Sequence, residues 1–269
     1  MDIQASLHGR RVGASVADEL IAIGGVMSGG HGKQIEYPAP SRVVIFDDFI
    51  GDAINTTLWG NPTKGTDAAT VDFAHLTGVN GLLKGTTGAG AGANMAANGI
   101  QIHSALQWKA DQSLLPRRLC FEARLKISAI TGISIFAGLT DQIAALEAPV
   151  ISAASADTIT TNASDAVGFM FDTAMATDNI WLVGVKGDTD ATKQDSGIAP
   201  VADTFITLRV EVDSNENAWF FINGKSSGVR MASALTKTVA LTPVIAAYSN
   251  AAASRDVTLD YLHCAADRV

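Results

Sequence analysis

A chain of 269 residues with 47% hydrophobic and 17% charged side chains is too apolar to stay disordered and long enough to bury a substantial core, as one large all-β domain or two ordinary ones. Its formal net charge of -8, with no cluster of Lys and Arg, argues against nucleic acid and against acidic partners in general. No stretch approaches the ~20 apolar residues of a membrane span, so no membrane partner is expected.

The opening "MDIQASLHGRR" lacks the apolar core of a secretory signal, which predicts synthesis in a cytoplasm. The sequons at Asn55 and Asn162 then carry no weight. Cys120 and Cys264, far apart and outside any Cys-x-x-Cys spacing, read as two reduced thiols. Residues 1–42 differ from the rest of the chain. "SVADELIAI" offers a short helix capped by Ser15 before Gly24 and Gly25 stop it, and the prolines of "YPAP" favour an extended path. The segment reads as an extended N-terminal arm, clamped by a partner or by another copy of the chain.

From Val43 onward apolar residues recur with a period of two. "FDDFIGDAINTTLWG", residues 46–60, sets Asp47, Asp48 and Asp52 among aromatic residues. Phe46, Phe49, Leu58 and Trp59 read as core anchors, and the aspartates as strand-end and turn residues that hydrogen-bond local backbone. A calcium ion held by some of these carboxylates is the competing reading. Residues 85–99, "GTTGAGAGANMAANG", are small and low in complexity. Within them residues 88–93 match G-x-G-x-x-A, but no convincing helix follows to receive a phosphate, so they read as a loop and no cofactor is expected.

"RLCFEARLKIS" alternates Leu119, Phe121, Ala123, Leu125 and Ile127 against Cys120, Glu122, Arg124, Lys126 and Ser128, a strand with one buried face. "GISIFAGLT" is the next strand. Residues 141–165, Ala-rich, read as a long surface connection with a helical turn at its start. "AVGFMFDT" and "NIWLVGVKG" follow as strands. Beyond them "GDTDATKQDSG" carries Asp188, Asp190 and Asp195 but lacks the Gly and Glu of a calcium-binding EF-hand loop, and reads as a solvated hairpin. "TFITLRVEVD" sets Phe205, Thr207, Arg209 and Glu211 against Ile206, Leu208, Val210 and Val212, and pairs with "AWFFING" as a hairpin. "TPVIAAYS" and "DVTLDYLHC" complete the set. Many strands and few helices describe an antiparallel β-sandwich.

Few residues suggest chemistry. His8, His31, His75, His103 and His263 show no metal-binding spacing. Trp59, Trp108, Trp181 and Trp219 could offer a sugar-stacking face, but Trp181 and Trp219 lie within strand patterns, where core packing is favoured.

In their order, "FDDFIGDAINTTLWG", "FEARLKIS", "IFAGLTD", "VGFMFDT", "WLVGVKG", "DSGIAP", "TFITLRVEVD", "WFFINGK", "LTPVIA" and "VTLDYL" resemble the concanavalin A-like lectin and glucanase superfamily. The resemblance is greatest to the laminin-G-like jelly rolls of tailed-phage structural proteins, over residues 43–264. It implies a jelly-roll sandwich over residues 43–269, with the "FDDF" strand beside the closing "VTLDYL". It further implies a noncatalytic virion protein: a capsid decoration or cement protein, made in the host cytoplasm, whose arm binds the major capsid protein. His8, Arg10, Arg11 and Tyr37 are the capsid-contact candidates, Arg10 and Arg11 through bidentate carboxylate pairing. A homo-oligomer, such as a trimer at a local symmetry axis, suits that role.

The alternative is a carbohydrate-binding module of a phage tail or fibre that recognises a host glycan. A glucan hydrolase stands third. "EVDSNE" matches the Glu-x-Asp-x-x-Glu of laminarinase-type enzymes at Glu211, Asp213 and Glu216, but Ser214, Asn215 and Asn217 are turn formers. They put Glu216 on a hairpin tip, pointing into solvent and away from Glu211, so the spacing does not supply a catalytic carboxyl pair.

Overall fold

The computed structural model of the chain describes residues 26–28, 34–36, 42–51, 53–59, 63–66, 72–76, 81–89, 95–105, 108–111, 118–144, 150–156, 158–189 and 193–267. The strands are Val26–Ser28 (β1), Gln34–Glu36 (β2), Arg42–Asp47 (β3), Thr63–Lys64 (β4), Asp72–Leu76 (β5), Leu82–Thr86 (β6), Gly99–His103 (β7), Leu119–Ile127 (β8), Ile133–Thr140 (β9) and Ile151–Ser155 (β10). They continue as Thr158–Thr161 (β11), Asp165–Asp172 (β12), Trp181–Lys186 (β13), Lys193–Asp195 (β14), Ile206–Val212 (β15), Ala218–Ile222 (β16), Lys225–Met231 (β17), Thr242–Ser249 (β18) and Asp256–Asp267 (β19). Single helical turns lie at Thr56–Trp59 (α1) and Met95–Asn98 (α2).

Two antiparallel sheets face each other. Sheet I has eight strands in the order β17-β16-β15-β8-β19-β6-β5, with β3 also on β19, and sheet II has seven in the order β14-β13-β12-β9-β18-β7-β4. The alternation read from the sequence decides which side chains meet between them. Phe121 and Leu125 of β8, Val210 of β15 and Phe220 of β16 project inward from sheet I onto Leu139, Phe169 and Leu182 of sheet II. Phe169 and Phe220 meet edge to face, with ring centroids 5.6 Å apart. At about 25 cal/mol per Å² of apolar area removed from water, this layer is the main source of stability.

The opening strand does lie beside the closing one: Phe46 pairs with His263 and Asp47 with Leu262. A register shift between Leu259 and Tyr261 breaks β19, so that β6 pairs with its first half and β3 with its second. Within residues 46–59 the anchors are Phe49 and Trp59, both buried, with Leu58 half-buried against the core. Phe46, expected among them, is 57% exposed. Ile45 takes the inward position of β3, and the period of two turns Phe46 to the opposite face.

Asp47 explains the aspartates' place in this stretch. Its Oδ1 accepts the Phe49 amide at 2.7 Å, and its Oδ2 accepts the indole Nε1–H of Trp59 at 2.6 Å. The carboxylate therefore ties strand β3 to α1, as the local-backbone reading predicted for it, while Asp52 lies outside the described residues.

Residues 141–165 are more than a connection. They contain the β10–β11 hairpin, whose Ile151 packs with Val150, Met170, Trp181 and Val244 in a second apolar cluster on the outer face of sheet II. Apolar residues in the Ala-rich segment have a sheet to cover, and that is why it folds as a ribbon. Residues 15–23, read as a short helix, lie outside the described residues. From the segment read as an arm, β1 and β2 form a small antiparallel ladder.

Candidate functional site

The outer face of sheet I carries no second described layer, and its outward positions hold most of the polar chemistry. In β8 these are Cys120, Glu122, Arg124 and Lys126. In β15 they are Thr207, Arg209 and Glu211, and in β16 Trp219 and Phe221. Pairing registers set Phe221, Arg209, Glu122, His263 and Phe46 side by side across β16, β15, β8, β19 and β3. The next row holds Trp219, Glu211, Cys120 and Ala265, with Arg230 of β17 opposite Trp219.

Arg209 sits at the centre. Its guanidinium bonds Glu211 through Nη2 and reaches Glu122 through Nη1 at 3.6 Å. Burial works against its charge, but the adjacent Cys120 sulfur, Glu211 and Glu122 outweigh that and raise its pKa. Arg118 makes a second ion pair with Glu211 at 2.9 Å and lies over the Trp219 ring, 3.7 Å from its centroid. Tyr261 donates its hydroxyl to Glu122. Burial, and then the charge of Glu122, push the Tyr261 pKa up, so it is a neutral donor. Arg124 pairs with Asp260, and Phe46 packs on Tyr261 at 5.9 Å.

Glu211 is cross-strand from Cys120, so Glu122 is its diagonal neighbour on the same face. Diagonal positions of an antiparallel pair stand about 7 Å apart. Glycosidases set their two carboxyl groups about 5 Å apart when they retain anomeric configuration and about 6.5–9.5 Å apart when they invert it. One guanidinium between two carboxylates on adjacent strands is thus compatible in scale with glycosidic chemistry.

The carboxylates singled out by spacing do not converge. Asp213 caps the β15–β16 turn, its Oδ1 accepting the amides of Asn215 and Asn217, both at 2.9 Å. Glu216 is on the hairpin tip in left-handed backbone at φ 66°, and it does turn away from Glu211. It does not point into solvent, however: it pairs with Lys186 of sheet II and accepts the Lys237 amide at 3.2 Å, and the lysine pulls its pKa down. Sequence reasoning missed Glu122. The signal was present, since Glu122 and Glu211 both fall on the polar side of their strands, but only the register makes them neighbours.

Asp188 accepts the Ser164 hydroxyl at 2.7 Å, and Asp195 accepts from Thr177, Asn179 and the Gly197 amide; Asp190 lies outside the described residues. Among the described residues no group of three His, Cys, Asp or Glu side chains is placed to hold a metal ion. Cys120 and Cys264 are buried and form no disulfide. Trp59, Trp108 and Trp181 are core residues, whereas Trp219, read as core, stands half-buried on the open face because its neighbours Ala218 and Phe220 take the inward positions. Residues 90–94 of the Gly-rich stretch lie outside the described residues. So do His8, Arg10, Arg11 and Tyr37, the capsid-contact candidates.

The architecture is an antiparallel jelly-roll β-sandwich. No protein-family model and no curated protein matches the chain. Solved structures do. An endo-acting O-glycanase of the human gut microbiota superposes with a TM-score of 0.56 at 10% identity, over 84% of this chain and 99% of that one. A laminarinase from Flavobacterium sp. UMI-01 gives 0.52 at 12% identity, over 82% and 98%. An endo-β-1,4-glucuronan lyase from Trichoderma reesei gives 0.52 at 8% identity, over 84% and 95%.

These matches correct two expectations. The reading of a noncatalytic protein of a phage capsid, tail or fibre fails, because the fold is shared, over 82–84% of this chain, with an O-glycanase, a laminarinase and a glucuronan lyase. The expectation that the chain is not an enzyme fails on the same finding. Physically, the order of short strand and turn blocks is a property of the jelly roll itself, so it carried the fold and could not separate its structural members from its catalytic ones.

Proposed function

We propose that this protein is a glycoside hydrolase-like enzyme whose polymeric substrate lies along the outer face of sheet I. The observation that carries the proposal is the Glu122–Arg209–Glu211 cluster on an open face, flanked by Trp219 and Phe221. Two carboxyl groups at this scale can divide the work of glycoside cleavage: one gives a proton to the departing glycosidic oxygen, and the other attacks the anomeric carbon or draws a proton from the attacking water.

Glu211, contacted by two guanidinium groups, takes the anionic role. Glu122, which faces one guanidinium at 3.6 Å where Glu211 is contacted by two, is held less strongly as an anion and takes the proton-donor role. Arg209 is a positioning residue that spans both. The aromatic faces supply apolar contact for the C–H faces of sugar rings.

The test is release of reducing ends from β-1,3-glucan, mixed-linkage β-1,3-1,4-glucan, mucin O-glycans and glucuronan. Wild type is expected to act on at least one, Glu211→Gln to abolish release, and Glu122→Gln to lower it by at least ~100-fold, as loss of general acid catalysis does. No release by wild type from any of them would end the proposal.

A further inference from the structure

The chain is acidic, with 27 Asp and Glu against 19 Lys and Arg, yet its charge is not evenly spread. On the open face of sheet I, Arg118, Arg124, Lys126, Arg209 and Arg230 stand against the carboxylates of Glu122, Glu211, Asp260 and Asp203, while Lys84 and Asp256 pair with each other on β6 and β19. Four of these cations lie over aromatic rings: Arg118 on Trp219, Arg124 and Lys126 on Phe205, and Arg209 on Phe221.

Two cations have little or no counter-charge among the described residues. Arg230 is exposed and donates to the neutral Asn217 Oδ1 at 2.9 Å. Lys126 reaches Asp203 only at 3.9 Å, and that carboxylate is 70% exposed. Beside Trp219 the surplus is local: Arg230 faces a neutral amide on a chain of net charge -8, and such a site favours a ligand of negative charge.

We infer that the polymer acted on is an acidic polysaccharide, whose carboxylate or sulfate groups are read by Arg230 and Arg118 on either side of Trp219 and by Lys126 farther along β8. This rests on the glycan-cleaving reading above and narrows its substrate. Arg230 is directly cross-strand from Trp219, so a sugar held at the indole edge places its acidic group within reach of a planar guanidinium that can bind it in a bidentate manner. Arg118 lies over the indole ring, 3.7 Å from its centroid, and adds a second guanidinium beside it. Whole-chain charge argued against acidic partners because it averages over a surface that the fold sorts by face.

The test is retardation of the full-length protein in native gels containing polyglucuronate, a sulfated galactan, neutral β-1,3-glucan or duplex DNA, repeated at low and moderate salt. Polyglucuronate or the sulfated polymer is expected to bind at least ~10-fold more tightly than the neutral glucan, with binding weakened by salt. Whichever of the two is favoured identifies the acidic group. Arg230→Gln and Lys126→Gln are each expected to lower that affinity several-fold at unchanged thermal stability, while Lys193→Gln on sheet II leaves it unchanged.

Equal binding of neutral and acidic glycans, unaffected by Arg230→Gln, would overturn the inference while leaving glycan cleavage standing. DNA bound as tightly as polyglucuronate would also overturn it, since the face would then read charge alone. Retardation by no polymer, together with no reducing-end release, would place the failure in the glycan reading itself.

Discussion

Replacing Asp47 decides between a carboxylate that builds the fold and one that holds an ion. Its two oxygens accept the Phe49 amide at 2.7 Å and the Trp59 indole N–H at 2.6 Å, and Trp59 is 0% exposed. A hydrogen bond to a charged group contributes about 1.5–3 kcal/mol net, and a buried donor left without an acceptor costs about 1–3 kcal/mol. Asp47 is itself only half-buried, so water replaces part of the loss at the Phe49 amide. Asp47→Ala is then expected to cost about 3 kcal/mol. Asp47→Asn keeps one acceptor oxygen for two donors and is expected to cost about half of that.

In urea, with m near ~3 kcal/mol/M for a chain of this size, the alanine variant shifts the unfolding midpoint down by about 1 M. A double-mutant cycle with Trp59→Phe, which keeps an aromatic ring and removes the N–H, is expected to show about 1.5–3 kcal/mol of coupling. The reasoning fails if both Asp47 variants unfold at the wild-type midpoint, or if the cycle shows no coupling. It also fails if calcium raises the wild-type midpoint and leaves that of Asp47→Ala unmoved.

Other perturbations test different parts of the molecule. Gly168→Ala puts a Cβ 2.4 Å from the Ala137 carbonyl oxygen and 2.7 Å from Gly138 Cα, wedging β9 from β12; a loss of about 2–4 kcal/mol is expected in chemical denaturation, and a change under ~0.5 kcal/mol would refute it. Phe221→Ala removes aromatic contact from the open face and is expected to raise KM about 10-fold at nearly unchanged kcat, whereas a loss confined to kcat would contradict its assignment to binding. Asp172 is buried, and desolvation raises its carboxyl pKa despite bonds from the Ala174 amide and from Ser134. A carboxyl raised in the native state makes its ionised form a cost at neutral pH, and that cost fades as pH falls through the native value. Asp172→Asn is therefore expected to be more stable than wild type at pH 7, by a margin that shrinks toward pH 4; a margin constant with pH would refute this. Glu216 carries the opposite sign. Lys186 lowers its native pKa, so its contribution is present above the ordinary carboxyl range and is lost as pH falls through the native value; Glu216→Gln is expected to flatten that acid limb of the thermal stability profile.

The strands were legible because each carries its own evidence. Period-two alternation in β8 and β15 follows from a sheet with one face in the core, and it identified the inward Phe121, Leu125, Leu208 and Val210 as well as the outward Glu122, Arg209 and Glu211. Turn chemistry likewise put Glu216 on a hairpin tip. Three things were not local and were not legible. Register between β8 and β15 brought Glu122 to Glu211 around Arg209 from distant parts of the chain, and one step of slip would have sent each to the core. Which face the β10–β11 hairpin covers, and which face stays open, depends on how two sheets stack rather than on any single strand. Phe46 and Trp219 were read as core because an aromatic residue in a strand usually is, and only the parity of their neighbours in the assembled sheet turned them outward. Alternation belongs to one chain segment, so the amino-acid order was enough to say which residues could form strands and which side of each strand was polar. The union of those polar sides into one surface came with the tertiary fold, because that surface exists only once segments far apart in the chain have paired.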